Sequence, residues 1–403
     1  MYDNGGKAKS LKRRSWMNQD AWITSPLGVG AVITLLIWFC FWLDQKYRFF
    51  SFLGTAILVI TCGAVLVNLH VIPSSLGESN PVYQFAGDYG VPLSIVLLLL
   101  STDFRNLRRL GKPAFIAFGL AAIGTVCGAV LGGLLTAGWI GEESWKITAQ
   151  FAASYIGGGI NYAAVGKALE TSETMYATGA AADNIMTNVW MVATAVIPVL
   201  FRRFYPSVQD KGEKGEKAGE GFFQPKKVTI FDLAAMLAVA FSIVAVSEWV
   251  TPWIQQASGL EIPSVIWYTT LALLLAWFTP VSRLQGGEAI GNYLLHLFFA
   301  TMGAGTILNT LVEKGPVVFL FLVLVIAIHA LIVFGVGKWF KLEVEMLAVA
   351  SQAAIGGPST ALALASSKGW ASLMTPAVLM GIFGYAVGNY IGIMVGNLMR
   401  MII

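Results

Sequence analysis

The chain has 403 residues, 56% of them hydrophobic and only 12% charged, with a formal net charge of +4. A soluble globular domain carries about 25% charged residues, roughly twice this share. Apolar runs of about 20 residues recur, each long enough for a hydrocarbon core of about 30 Å. Together these features exclude a soluble enzyme, a secreted disulfide scaffold and a nucleic-acid-binding module. The expected fold class is an all-α polytopic membrane protein of about 10–12 transmembrane segments.

In chain order, a basic tail comes first, over residues 1–24. Residues 7–14 read KAKSLKRR, and the apolar run after them (33–43, ITLLIWFCFWL) is long, bulky and without a small-x-small cleavage site. It reads as a retained span and not as a removed signal. The first membrane half, 25–201, holds six apolar segments near 25–43, 51–71, 88–102, 114–138, 147–169 and 175–201. Residues 202–228 follow, glycine-rich and charged, as a flexible linker. Of 48 Asp, Glu, Lys and Arg residues, 17 lie in 1–14 and 202–227, so the remainder is poorer in charge than the average implies. The second half, 229–403, holds segments near 229–250, 264–280, 290–308, 316–337, 345–366 and 373–400.

The halves share landmarks at a nearly constant offset. Gly157-Gly158 matches Gly356-Gly357 at 199 residues, Asn188 matches Asn389 at 201, and Pro113 matches Pro316 at 203. Internal duplication of this kind is common in secondary transporters. The fifth segment of each half is interrupted by glycines, and in the second half by Pro358, which lacks a backbone donor. If these segments enter and return on one side, each half has five spans and the halves are inverted repeats. Lys and Arg counts tie at 17 inside and 9 outside for this topology and for twelve full spans. The internal loops favour inversion, the basic tail the alternative.

Irregular backbone at membrane depth is tolerated where protein buries it or where it lines a wet cavity. The two glycine breaks are therefore the expected substrate site: SYIGGGINY at 154–162 and SQAAIGGPSTA at 351–361. The candidate substrate-binding residues are Ser154, Gly157, Gly158, Gly159, Asn161, Gln352, Gly356, Gly357, Ser359 and Thr360, with Ser351 beside them. A helix that restarts after a break offers N–H groups and a positive dipole end to an anion. Close helix packing is the competing role for the same glycines.

Residues 180–188 read AAADNIMTN, so Asp183, Asn184, Thr187 and Asn188 make a polar stripe on an apolar helix. A carboxylate near mid-membrane costs at least about 2.5–3.5 kcal/mol and is a functional candidate by default. Asp183 is expected to bind a coupling cation, Na⁺ or H⁺, with Asn184, Thr187, Asn188 and Asn389 completing the shell. The matching position in the second half is Gly384. A structural carboxylate is the alternative. His296 and His329 lie in spans without another ligand type nearby and read as core histidines. The three cysteines fall in apolar runs and lack metal-ligand spacing. No HExxH, GxSxG triad, Walker loop or kinase set occurs, so no enzyme activity and no cofactor is expected beyond a coupling ion.

The stretches SYIGGGINYAAVGKALETSETMYATGAAADNIMTNVWM (154–191) and SQAAIGGPSTALALASSKGW (351–370) resemble the YjcL-like family of uncharacterised bacterial and plastid membrane proteins. A glycine-rich break in each half is also similar, more distantly, to the sodium–glutamate and sodium–citrate symporters, whose glycine motifs are not matched residue for residue. The resemblance implies a two-domain elevator or rocking carrier in a bacterial inner membrane or plastid envelope. The expected function is a secondary active transporter of a small anionic organic solute. A membrane-embedded enzyme or sensor, or an uncoupled channel, stays open as the alternative. The expected partners are the lipid bilayer and a small-molecule substrate, with no nucleic acid. A homodimer is left open.

Overall fold

The structure is a computed structural model that describes residues 21–75, 80–206, 228–259, 262–306 and 308–403. Most of the expected basic tail (1–20) and of the expected linker (207–227) lies outside the described residues.

The helices follow in chain order. Ser25 accepts from the Gly28 N–H at 3.2 Å and Pro26 opens α1, Pro26–Lys46. Next come α2 (Arg48–Leu53) and α3 (Thr55–Asn68), separated by Gly54 at φ 80°. A π turn over 86–90 joins α4 (Pro81–Phe85) to α5 (Val91–Leu100). Then come α6 (Lys112–Ile140), α7 (Ser144–Ala168) and α8 (Glu173–Phe201). A Thr229–Asp232 capping box starts α9 (Ile230–Ser258), followed by α10 (Ser264–Phe278) and α11 (Gly287–Ala304). A second π turn, over 331–336, links α12 (Leu308–Ala330) to the short α13 (Gly337–Trp339). The chain closes with α14 (Val344–Ser367) and α15 (Ala371–Ile402). Every regular element among the described residues is helical.

Among the described residues, eight helical stretches are long and apolar enough to cross a membrane: α1, α4–α5, α6, α8 with its last turn, α9, α12–α13, α14 and α15. The protein is a multi-pass integral membrane protein. Two segments expected near 51–71 and 264–280 form shorter apolar helices, α3 with 14 residues and α10 with 15. At 1.5 Å per residue neither reaches about 30 Å. For the first, the cause is Gly54, whose left-handed backbone cuts the apolar run into α2 and α3. Although α7 has 25 residues, it is not among the eight, because Gln150, Ser154 and Asn161 interrupt its apolar character.

Two compact units are present. The first comprises 1–94, 172–184 and 292–316. Within it, α3 and α11 cross closely. A Cβ at Gly63 would lie 2.9 Å from the Ala300 carbonyl oxygen, and one at Gly303 would fall on that of Ile60. Such small residues let backbones meet in a bilayer, where no hydrophobic drive separates helix from lipid. Tyr176 packs edge-on to Phe298 at 5.3 Å. His296 Nδ1 is 2.7 Å from the Asn292 carbonyl oxygen, which can only accept, so Nε2 accepts from the Thr55 hydroxyl at 2.9 Å.

The second unit comprises 95–171, 185–291 and 317–403. Its core joins α6, α7, α14 and α15 around Phe118, Ile156, Leu347, Ala353 and Met380. The glycines of α15 recur at 381, 384, 388 and 392, three or four apart, and so share one face. A Cβ at Gly384 would fall on the Ile156 carbonyl oxygen, one at Gly388 would lie 3.0 Å from that of Ala153, and one at Gly392 2.9 Å from that of Ala149. This face therefore presses backbone against α7. At the start of α14 the buried Glu345 pairs with the exposed Arg202, Oε1 to Nε 3.6 Å.

Candidate functional site: two facing glycine breaks

Within the second unit, α7 leaves helical geometry at Tyr155 (φ −83°, ψ 15°) and at Gly158, and α14 does so at Gly357, all near the middle of the helix. Gly158 has φ 73° and ψ −173°, and Gly357 has φ 80° and ψ −176°. These angles are almost the same and lie where a Cβ is penalised, which is why glycine occupies both positions. The two residues face each other: a Cβ at Gly158 would sit 3.8 Å from the Gly357 Cα. Tyr385 of α15 lies against both. Its Cε1 is 3.5 Å from the Cβ position at Gly158, and its hydroxyl 3.5 Å from that at Gly357.

Burial changes sharply at this point. Residues 147–158 are buried throughout, yet Gly159 is exposed, and Ser359 is exposed directly after the buried Gly357-Pro358. A Cβ at Gly159 would meet nothing within 4 Å. Two polar side chains, 1% and 0% exposed, reach the breaks with one atom each unsatisfied: Asn161 Oδ1 and Gln352 Nε2. A Cβ at Gly157 would fall on Asn161 Oδ1, and one at Gly356 would lie 2.5 Å from Gln352 Nε2. An unpaired buried polar atom costs about 1–3 kcal/mol, so each is a standing demand for a partner.

The orientation of Asn161 follows from its neighbours. Its Nδ2 donates to the Tyr385 carbonyl at 3.3 Å and to Asn389 Oδ1 at 2.9 Å, and Asn389 Nδ2 donates to Thr269 Oγ1 at 2.9 Å. A carbonyl only accepts, so the amide nitrogen of Asn161 must face it and the oxygen must face Gly157. Asn389, expected in the cation set, is thus bonded to a member of the substrate set.

Sequence reasoning missed a buried polar chain that touches both breaks. Thr125 Oγ1 donates to the Tyr155 carbonyl at 2.8 Å, one turn before Gly158. Its single hydrogen is then spent, so it accepts from His329 Nδ1 at 3.0 Å. His329 Nε2 accepts from the Ser351 hydroxyl at 2.8 Å, and Ser351 Oγ accepts from Trp190 Nε1 at 2.9 Å. Thr194 Oγ1 lies 3.3 Å from Gln352 Oε1. The Tyr155 carbonyl, Thr125 hydroxyl, His329 ring, Ser351 hydroxyl and Trp190 indole thus each find a partner in this chain. His329 is a satisfied core histidine, as expected, but one that couples the two broken helices.

The other predicted residues stand as follows. Ser154 is buried on α7, and Thr360 Oγ1 donates to the Gly357 carbonyl at 3.1 Å. Asp183, Asn184, Thr187 and Asn188 are half-buried on α8. Asn184 donates to the Ala180 carbonyl at 3.0 Å and its Oδ1 lies 3.1 Å from the Cβ position at Gly54. Gly384, the counterpart of Asp183, has no room for a side chain because the Ile156 carbonyl fills that space.

Residues 31–402 match the family model described as protein of unknown function DUF819. The chain is 31% identical over 370 residues to the uncharacterized membrane protein YjcL of Bacillus subtilis (strain 168), covering 88% of this chain and 92% of that protein. With most of its length matched on both counts, the chain belongs to the DUF819 family.

Proposed function

We propose that the protein is a secondary transporter of a small anionic organic solute, driven by Na⁺ or H⁺, with the solute held between the breaks at Gly158 and Gly357. The observation that carries this reading is that two alike breaks meet, Gly158 against Gly357, with an exposed residue shortly after each, Gly159 and Ser359, on otherwise buried helix segments. Packing alone accounts for tight glycines such as Gly384 but not for the open space at Gly159 or the unsatisfied Asn161 Oδ1 and Gln352 Nε2. A transporter site formed by discontinuous helices has this composition, and helix restarts suit an anionic group.

In this reading 25–201 and 229–403 are inverted repeats; the near-identical dihedrals 199 residues apart support the duplication. The Asn161 oxygen would accept from a donor on the solute, and the Gln352 amide would bind its anionic end. Asp183 would hold the coupling cation with the Asn and Thr oxygens of its stripe. The test is uptake of small carboxylates into proteoliposomes under an imposed Na⁺ or pH gradient, with Asn161→Leu as the site variant. Saturable, gradient-dependent uptake that Asn161→Leu abolishes is expected. Uptake that is unsaturable and indifferent to both gradients would replace the carrier by a channel.

A further inference from the structure

A second feature lies in the first unit, where α8 begins beside the end of α11. Ser75 Oγ is 2.8 Å from Glu173 Oε2 and 3.1 Å from the Thr301 carbonyl oxygen. The hydroxyl has one hydrogen, while a carbonyl and an ionised carboxylate only accept. With Glu173 ionised, one of these two short oxygen–oxygen contacts therefore holds no hydrogen. Among the described residues, Ser75 is the one hydrogen-bond donor to this carboxylate. The start of α8 favours negative charge through its dipole, but that supplies no hydrogen to the contact.

One added positive species resolves the deficit. A proton on Glu173 lets its O–H donate to Ser75, which then donates to the Thr301 carbonyl. A small cation among the three oxygens does the same by coordination, and hard cations take such oxygen ligands. The surroundings are built for this. Thr301 and Ala304 carbonyls form the negative end of α11, and Ser74 Oγ donates to Ala304 at 3.1 Å. A Cβ at Gly305 would fall on Glu173 Oε2 and lie 2.7 Å from Ser75 Oγ, so only glycine admits the carboxyl there. The ionisable side chain facing Glu173 from α4 is Tyr83, whose hydroxyl donates to the Pro73 carbonyl at 2.7 Å. Asp183 lies further along α8, and His296 of α11 is bonded to Asn292 and Thr55.

We propose that Glu173, Ser75 and the Thr301 carbonyl form a cation site that exchanges a proton for Na⁺. The site stands independently of the transport reading and differs from the Asp183 stripe. It is tested by thermal unfolding of the full chain in detergent, titrating NaCl against KCl and choline chloride at constant ionic strength and at acidic and alkaline pH. Na⁺ is expected to raise the melting temperature of the wild type at alkaline pH, and less at acidic pH, where the proton already fills the site. Glu173→Gln carries its own N–H toward Ser75, so it should fold well and bind Na⁺ about tenfold more weakly or worse, the loss of roughly 1.4 kcal/mol. Ser75→Ala, a second route to the same loss, covers a failure of Glu173→Gln to fold. Asp183→Asn can remove only the share that belongs to its own stripe, so the part of the response lost in Glu173→Gln should persist in it. An unchanged Na⁺ response in both site variants overturns the proposal, as does a wild type that answers Na⁺, K⁺ and choline alike. Loss in Asp183→Asn with retention in Glu173→Gln would leave the Asp183 reading standing and remove this one.

Discussion

Asn161 donates its side-chain amide to Asn389 Oδ1 at 2.9 Å, and so ties the restart of the broken helix α7 to the unbroken α15. The bond also turns the Asn161 oxygen toward Gly157, where it meets no donor. Asn389→Ala leaves Thr269 without its donor and Asn161 with only the Tyr385 carbonyl. The expected loss is about 1–3 kcal/mol of stability. Combined with Thr269→Val it should cost less than the sum, since both act on one chain of bonds. Additive losses in thermal unfolding would show that the two contacts are independent.

The glycine breaks separate backbone strain from space. Gly158→Ala and Gly357→Ala place a Cβ on left-handed backbone, at φ 73° and 80°. Each should cost about 1–3 kcal/mol. Gly159→Ala meets no atom within 4 Å and should be neutral or mildly stabilising. Equal melting temperatures for all three variants would contradict the dihedral assignment.

The polar chain through His329 makes a spectroscopic prediction. Nδ1 carries the hydrogen toward Thr125 and Nε2 accepts from Ser351. Nitrogen chemical shifts of labelled histidine, assigned by loss of the signal in His329→Leu, should therefore report a neutral ring protonated at Nδ1. His329→Leu and Ser351→Ala should each cost about 1–3 kcal/mol, with the pair non-additive. A ring protonated at Nε2 would reverse the direction of the chain.

Glu343, immediately before α14, has its carboxyl held above the ordinary range, first by burial and then by the neighbouring charge of Glu345. A carboxyl raised in the folded state binds more protons folded than unfolded. Its contribution is complete below the unfolded value of 4.5 and is lost as pH rises through the raised folded value. Glu343→Gln should remove that fall, so that wild type and variant converge at acidic pH and the variant is the more stable at neutral pH. Melting temperatures measured across this range check it, and parallel curves would refute it.

The membrane class and the all-helical content were legible in the sequence because they are local. Apolar runs, a Gly-Gly pair and a proline act through the backbone of their own segment. The partition into α2 and α3 was less so, since a single left-handed Gly54 outweighed an apolar run that read as continuous. The asymmetry between Asp183 and Gly384 was visible as a difference in residues, but not its cause. The Ile156 carbonyl occupies the space a side chain at 384 would need.

What only the tertiary structure decided are the relations between distant segments. Thr125 and His329 are 204 residues apart, Asn161 and Asn389 228, and Ser75 and Thr301 226. Such pairs leave no periodicity, because a hydrogen bond needs a donor and acceptor within about 3 Å and is indifferent to the chain between them. Composition and local pattern thus determined that this protein lives in a bilayer and is helical throughout its described residues. Packing alone determined that the breaks face each other, that His329 joins them, and which polar atoms are left wanting a partner.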